Sequence, residues 1–148
     1  MFLFILVTTL AIVASVLLHL GSFQVLVKLW EKNTSLRRWR IAVLIVGFII
    51  VHLIEIAVFS LAIDTLLQDG SFGHLEGVDV ESAGSLFYYS AITYTTVGYG
   101  DITPIGDIRL FAGVEALTGM VLVAWTASAI FTVTHRTWRA EQAEKTPA

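Results

Sequence analysis

Apolar positions gather into three long runs, residues 1–27, 41–63 and 110–133, separated by polar and basic stretches. Each run supplies the roughly 20 helical residues that a hydrocarbon core requires. The first run holds no formal charge and His19 as its one titratable side chain, the second holds His52 and Glu55, and the third holds Glu115 near its start. Pro104 and Pro147 both lie outside the runs, so each run is expected to continue as one helix. Between the second and third runs, Asp69-Gly70-Ser71-Phe72-Gly73-His74 and Glu76-Gly77 read as an exposed loop rich in turn residues. The pattern at residues 85–95, Ser-Leu-Phe-Tyr-Tyr-Ser-Ala-Ile-Thr-Tyr-Thr, predicts a short helix with Ser82 or Ser85 as its N-cap. At about 15 Å it can enter a membrane without crossing it, so it is expected to be re-entrant.

Composition agrees with a membrane chain. Over its 148 residues the protein is 56% hydrophobic, has a mean hydropathy of +0.79 and is 14% charged, against about 25% charged in ordinary soluble proteins. A disordered chain and a typical cytosolic enzyme are excluded. Cysteine is absent, which removes disulfides, thiolate metal sites and cysteine nucleophiles. The net charge of −3 matters less than its distribution. Lys28, Lys32, Arg37, Arg38 and Arg40 fill the first connection, Arg136, Arg139 and Lys145 follow the third run, and Arg109 alone lies between the second and third. The positive-inside rule makes the first connection and the C-terminus cytoplasmic and the N-terminus external. Trp30, Trp39 and Trp138 beside those basic clusters fit an interfacial belt. Asp64, Asp69, Glu76, Asp79, Glu81, Asp101 and Asp107 then form an acidic external face. Residues 1–27 lack the basic n-region of a signal peptide and exceed an ordinary h-region, so a retained helix is expected. The sequon Asn33-Thr34-Ser35 falls in the cytoplasmic connection and reads as chance.

After the short helix comes Thr95-Thr96-Val97-Gly98-Tyr99-Gly100-Asp101. Paired glycines usually mark a turn, but non-helical backbone at membrane depth is tolerated only where protein buries it or water lines it. An extended segment with free carbonyls in that setting is a candidate ion ligand. The segment resembles the selectivity filter of the potassium channel family, which Thr-Val-Gly-Tyr-Gly typifies; the match extends to Thr93 before it and Asp101 after it. The resemblance covers about residues 41–136 as outer helix, pore helix, filter and inner helix. It implies an all-α membrane protein, with three transmembrane helices plus a re-entrant pore helix and filter loop, assembled as a pore-domain tetramer. On this reading residues 1–40 are an additional helix and basic loop, 41–139 the pore domain and 140–148 a short cytoplasmic tail.

The resemblance also implies the chemistry. Carbonyls of Thr96, Val97, Gly98 and Tyr99, with the Thr96 hydroxyl at the inner end, supply the oxygen cage for the permeant K⁺, no organic cofactor being expected. Gly98 and Gly100 can adopt positive φ, which lets carbonyls of adjacent residues face one axis. The C-terminal end of the pore helix aims partial negative charge at the cavity below. Thr93, Thr95, Asp101, Tyr88 and Glu115 are the expected filter supports. Where some members carry a glutamate four residues before the filter threonine, this chain has Ile92, and where many carry pore-helix tryptophans it has Tyr88 and Tyr89. A bond from a tyrosine to Asp101 is the substitute to look for. The N-terminal run has no basic residue at every third position, so it does not resemble a voltage sensor.

Other polar membrane residues receive blander readings. Glu115 must face protein or water, or be protonated, because an unpaired charge there is costly; it reads as a paired or neutral structural group, with a pH-sensitive carboxylate behind the filter as the functional alternative. His52 and Glu55, three residues apart on one helical face, read as a local pair that fixes helix packing, with a pH sensor as the alternative. His19 reads as a packing or interfacial residue rather than a metal ligand. Gly119 is a hinge or a close-packing site, and Val123, Ala127 and Phe131 share a face that is the expected cavity wall, with Phe131 as a candidate apolar constriction and Trp125 turned away. The N-terminal run is expected to pack on the lipid-facing side of residues 41–63.

The resulting expectation is a homotetrameric, K⁺-selective channel in the plasma membrane. Its partners are the lipid bilayer and, because only about ten residues follow Arg139, a separate regulatory protein; nucleic acid is not among them. The alternatives are a non-conducting regulatory membrane subunit, a weakly selective cation channel and one filter unit of a potassium transporter. No nucleophile, metal cluster or phosphate loop marks an enzyme.

Overall fold

The computed structural model of the chain describes residues 1–32, 37–77, 80 and 82–145. The sequon at residues 33–35, Asp79 and Glu81 lie outside the described residues, as do the side chains of Trp30, Lys32, Arg37, Arg38, Arg40 and Lys145. Six elements follow in order: α1 (Phe2–Lys32), α2 (Arg37–Asp69), β1 (Gly73–Gly77), α3 (Ala83–Tyr94), β2 (Ile102–Gly106) and α4 (Ile108–Lys145). Helices α1, α2 and α4 each contain a stretch of 27 to 29 residues long and apolar enough to cross a membrane. All three extend past the apolar runs because the flanking polar residues are good helix formers without an intervening proline.

One stripe of each of α1 and α4 faces the bundle. On α1 the buried positions are Phe4, Thr8, Ala11, Ser15 and His19, and on α4 they are Ile108, Phe111, Glu115, Gly119, Leu122 and Thr126. Both sets recur every three or four residues, the spacing of one helical face. Helix α2 buries more of its circumference because α1, α3 and α4 all pack on it. Gly47 lets Leu26 of α1 approach α2, since a Cβ at Gly47 would lie 2.7 Å from the Leu26 side chain. As expected α1 lies along α2, but it also reaches α4, where the His19 and Trp125 rings meet edge-on at 6.4 Å. Trp125 therefore faces the extra helix. The core between α2, α3 and α4 is built on Phe59, Ile63, Leu66, Tyr89, Tyr94 and Phe111.

Helix α3 starts two residues ahead of the expected segment 85–95 and takes the first of its two candidate caps. Ser82 is the N-cap, its hydroxyl accepting from the Ser85 main-chain N–H at 3.1 Å. The segment read as an exposed loop is in part a strand: β1 pairs antiparallel with β2, Gly73 opposite Gly106 and Gly77 opposite Ile102. Only Leu75 of β1 points inward, and glycines close both ends, so the strand has almost no alternation to detect. Gly73, at φ 120°, has the Ile105 carbonyl where a Cβ would sit. This ribbon ties the α2–α3 connection to the residues that follow the filter-like segment.

Candidate functional site

The residues after α3 are placed by its C-terminal end. Thr95 caps the helix and its hydroxyl donates to the Ala91 carbonyl at 2.7 Å. The Thr96 N–H donates to the Thr93 carbonyl at 2.9 Å and the Gly98 N–H to the Ile92 carbonyl at 3.0 Å, which starts the segment back along its own helix. Thr96, Gly98 and Gly100 have φ of 59°, 51° and 81°, while Val97 and Tyr99 between them do not have positive φ. The glycines take that conformation without steric cost; Thr96 does not. The whole segment from Thr95 to Asp101 is exposed on the single chain, Val97 at 52% and Tyr99 at 73%.

Behind it, the Tyr88 hydroxyl donates to the Asp101 carboxylate at 2.7 Å, joining α3 to the far end of the segment. That bond holds the Tyr88 phenol above its ordinary value of 10.0. Glu115 is fully buried on α4 beside Ser90 of α3. Gly119 lies against Tyr94: a Cβ there would sit 2.1 Å from the Tyr94 carbonyl oxygen. Close approach thus accounts for the glycine. Val123 is 45% exposed, Ala127 is exposed and Phe131 is 70% exposed, with its ring stacked on His135 at 5.8 Å. These three lie on a face of α4 that the chain itself leaves uncovered.

A second polar assembly lies deeper, and sequence reasoning saw only half of it. Glu55 is fully buried and accepts from His19 Nδ1 at 2.8 Å, from His52 Nδ1 at 2.9 Å and from the Tyr94 hydroxyl. Thr126 of α4 meets His52 Nε2 at 3.0 Å and His19 Nε2 at 3.4 Å. The pairing of His52 with Glu55 follows from their spacing. His19, Tyr94 and Thr126 come from three other helices, so only the fold brings them in; the signal available beforehand was a histidine in the middle of an otherwise uncharged span. Through Tyr94 the assembly ends one residue before the cap of α3.

Comparison with known proteins fits this layout. The model of a family described as ion channel matches residues 39–136, more than half of the chain. The chain belongs to the ion channel family. It is an integral membrane protein, and the matched span takes in α2, α3, the filter-like segment and most of α4. The voltage-gated potassium channel Kch of Escherichia coli (strain K12) is 38% identical over 73 residues, which are 45% of this chain and 18% of that protein. The chain thus spans under a fifth of that relative's length. No solved structure matches.

Proposed function

We propose that this ion channel protein is one subunit of a homotetrameric, potassium-selective channel that conducts K⁺ passively across the plasma membrane. The observation that carries the reading is the alternation of φ at Thr96, Gly98 and Gly100 in an exposed segment directly after the partly buried helix α3. In an ordinary strand successive carbonyls point to opposite sides. Positive φ at every second residue turns adjacent peptide planes toward a common side, so one strand presents a column of oxygens. Four strands about an axis turn that column into stacked rings that replace the hydration shell of K⁺. One chain supplies one strand, and a head-to-tail interface that closes on itself supplies the other three. The ion-binding filter residues are Thr96, Val97, Gly98, Tyr99 and Gly100, with K⁺ at the carbonyls of the first four, and Thr93, Thr95, Asp101, Tyr88 and Glu115 are the support.

The uncovered face of α4 with Val123, Ala127 and Phe131 fits the wall of a central cavity. The partial negative charge at the Thr95 end of α3 favours a cation beside that cavity. Basic residues after α1 and along the end of α4 support an external N-terminus and a cytoplasmic C-terminus. The potassium channel name of the 38% identical relative points the same way. Purified protein in liposomes tests the proposal: a K⁺ flux that far exceeds the Na⁺ flux is expected, with four chains per particle by native mass spectrometry. Equal fluxes identify a weakly selective cation channel, and no flux at any pH identifies a non-conducting subunit.

A further inference from the structure

We infer that His19, His52 and Glu55 form a binding site for one divalent transition-metal ion of the Zn²⁺ or Co²⁺ class, in the interior of the subunit between α1 and α2. One ligand atom from each of the three residues, a ring nitrogen from each histidine and a carboxylate oxygen from Glu55, lies within 4.8 Å of the other two. Both rings turn the same nitrogen to the same carboxylate, at 2.8 Å and 2.9 Å. Tetrahedral ligands at Zn–N and Zn–O lengths of about 2.0–2.2 Å stand about 3.3–3.6 Å apart, so a widening of these two contacts by roughly half an ångström admits the ion. Two nitrogens and a carboxylate are a donor set that Zn²⁺ and Co²⁺ accept, and the Tyr94 hydroxyl, within 3.0 Å of His52 Nδ1, borders the fourth position.

The outer partners favour the same ion. Metal-bound imidazoles almost always donate their remaining N–H to an oxygen that fixes the ring, and here one oxygen, Thr126 Oγ1, faces Nε2 of both rings. A hydroxyl has two lone pairs and one proton. With metal on both Nδ1 atoms, each Nε2–H donates to one lone pair, and the Thr126 proton is left for the main chain. Thr8, Thr65, Thr95, Thr118 and Thr132 all donate to the carbonyl four residues back. On binding, the single proton of each neutral ring moves from Nδ1 to Nε2, and the ion's two positive charges face one Glu55 carboxylate. Without the ion, the single Thr126 proton has to serve two ring nitrogens.

The site does not depend on the channel reading, and its test measures binding rather than flux. The full-length protein in detergent micelles is loaded with Co²⁺ and freed of excess ion by gel filtration. Wild type is expected to retain one Co²⁺ per chain with the intense visible bands of tetrahedral cobalt. The bands are expected to vanish in His19→Gln and in His52→Gln, and to persist in a His74→Gln, His135→Gln double variant, which removes the two exposed histidines outside the cluster. Thr126→Val keeps all ligands and is expected to weaken retention about 10- to 100-fold. Wild type that retains no Co²⁺ overturns the site, whatever the variants do. Retention unchanged by His19→Gln and His52→Gln, or lost in the double variant, places the ion on the surface and overturns it equally.

Discussion

The backbone of α4 at Gly119 touches the last turn of α3 at Tyr94, with the Tyr94 carbonyl oxygen 2.1 Å from where any larger residue would place its Cβ. Tyr94 is held from its other end by its hydroxyl bond to Glu55 and by the Phe59 ring at 6.2 Å. The tyrosine therefore has no direction in which to retreat. Gly119→Ala is expected to push α4 away from α3 and to cost about 1–3 kcal/mol, the usual range for overpacking. Thermal unfolding in detergent checks this, and a melting temperature equal to that of wild type would show that the contact is slack.

Glu55 carries the largest expected stability effect. Its carboxylate is fully buried and serves three donors from α1, α2 and α3. Glu55→Ala leaves the His19 and His52 Nδ1 atoms and the Tyr94 hydroxyl without their shared acceptor. A loss of about 3–5 kcal/mol is expected, the range for removing one member of a buried pair. Glu55→Gln retains one oxygen and is expected to lose less. Denaturant unfolding of both variants gives the order, and an alanine variant as stable as the glutamine variant would argue against the network.

The bond between Tyr88 and Asp101 gives a pH signature at the Asp101 end of the filter-like segment. Tyr88 is held above its ordinary 10.0, first by the hydrogen bond to Asp101 and then by desolvation and the nearby carboxylate charge. A group raised in the folded state contributes its full stabilisation below its unfolded value. That contribution is lost as pH rises through the folded value. The bond is thus expected to be constant from neutrality to about pH 10 and to fail above it. Tyrosinate absorbance, taken as the difference between wild type and Tyr88→Phe, should show Tyr88 ionising at lower pH once Asp101→Asn is introduced. Coincident titrations with and without Asp101 would remove that aspartate from the account.

The three spans and the re-entrant helix were legible in the sequence because their signals are local. Apolar runs without proline, a short polar-capped helix and a Thr-Val-Gly-Tyr-Gly segment need no knowledge of distant partners. The exchange of the usual filter partners for Tyr88 was legible as a question, and the 2.7 Å bond to Asp101 answers the geometric part of it. What stayed hidden was long range. The ribbon pairs Gly73 with Gly106 across the whole filter region, and its glycines erase the alternation that reveals a strand. His19 looked like a packing residue because its partners are 36 and 107 positions away in the chain.

Gly98 separates backbone from side-chain effects in the proposed filter. It has φ 51°, and a Cβ there meets nothing within 4 Å of its own chain. Gly98→Ala therefore acts through the cost of holding a left-handed alanine, about 1 kcal/mol or more, or through contact with another subunit. Either route shifts the carbonyl geometry. Lower discrimination between K⁺ and Na⁺ is expected in liposome flux, with the subunit fold intact by circular dichroism. Unchanged selectivity would show that the oxygens of this segment do not set it.

Phe131 tests whether the inner end of the proposed pore gates conduction. Its ring is 70% exposed on the single chain and stacks on His135 of the same helix. It lies 12 residues beyond Gly119, about three helical turns toward the C-terminal end. Four such rings converging on an axis form an apolar ring, and a narrow apolar ring stops ions by dewetting without full steric closure. Phe131→Asn keeps the helix and wets the constriction, so open probability in single-channel recordings is expected to rise while K⁺ selectivity stays unchanged. Because the wild-type ring is 70% exposed in its own subunit, folding is expected to shift by no more than about 0.5 kcal/mol. An assembled Phe131→Asn channel with unaltered open probability would remove Phe131 from the gate and leave the filter as the element that opens and closes.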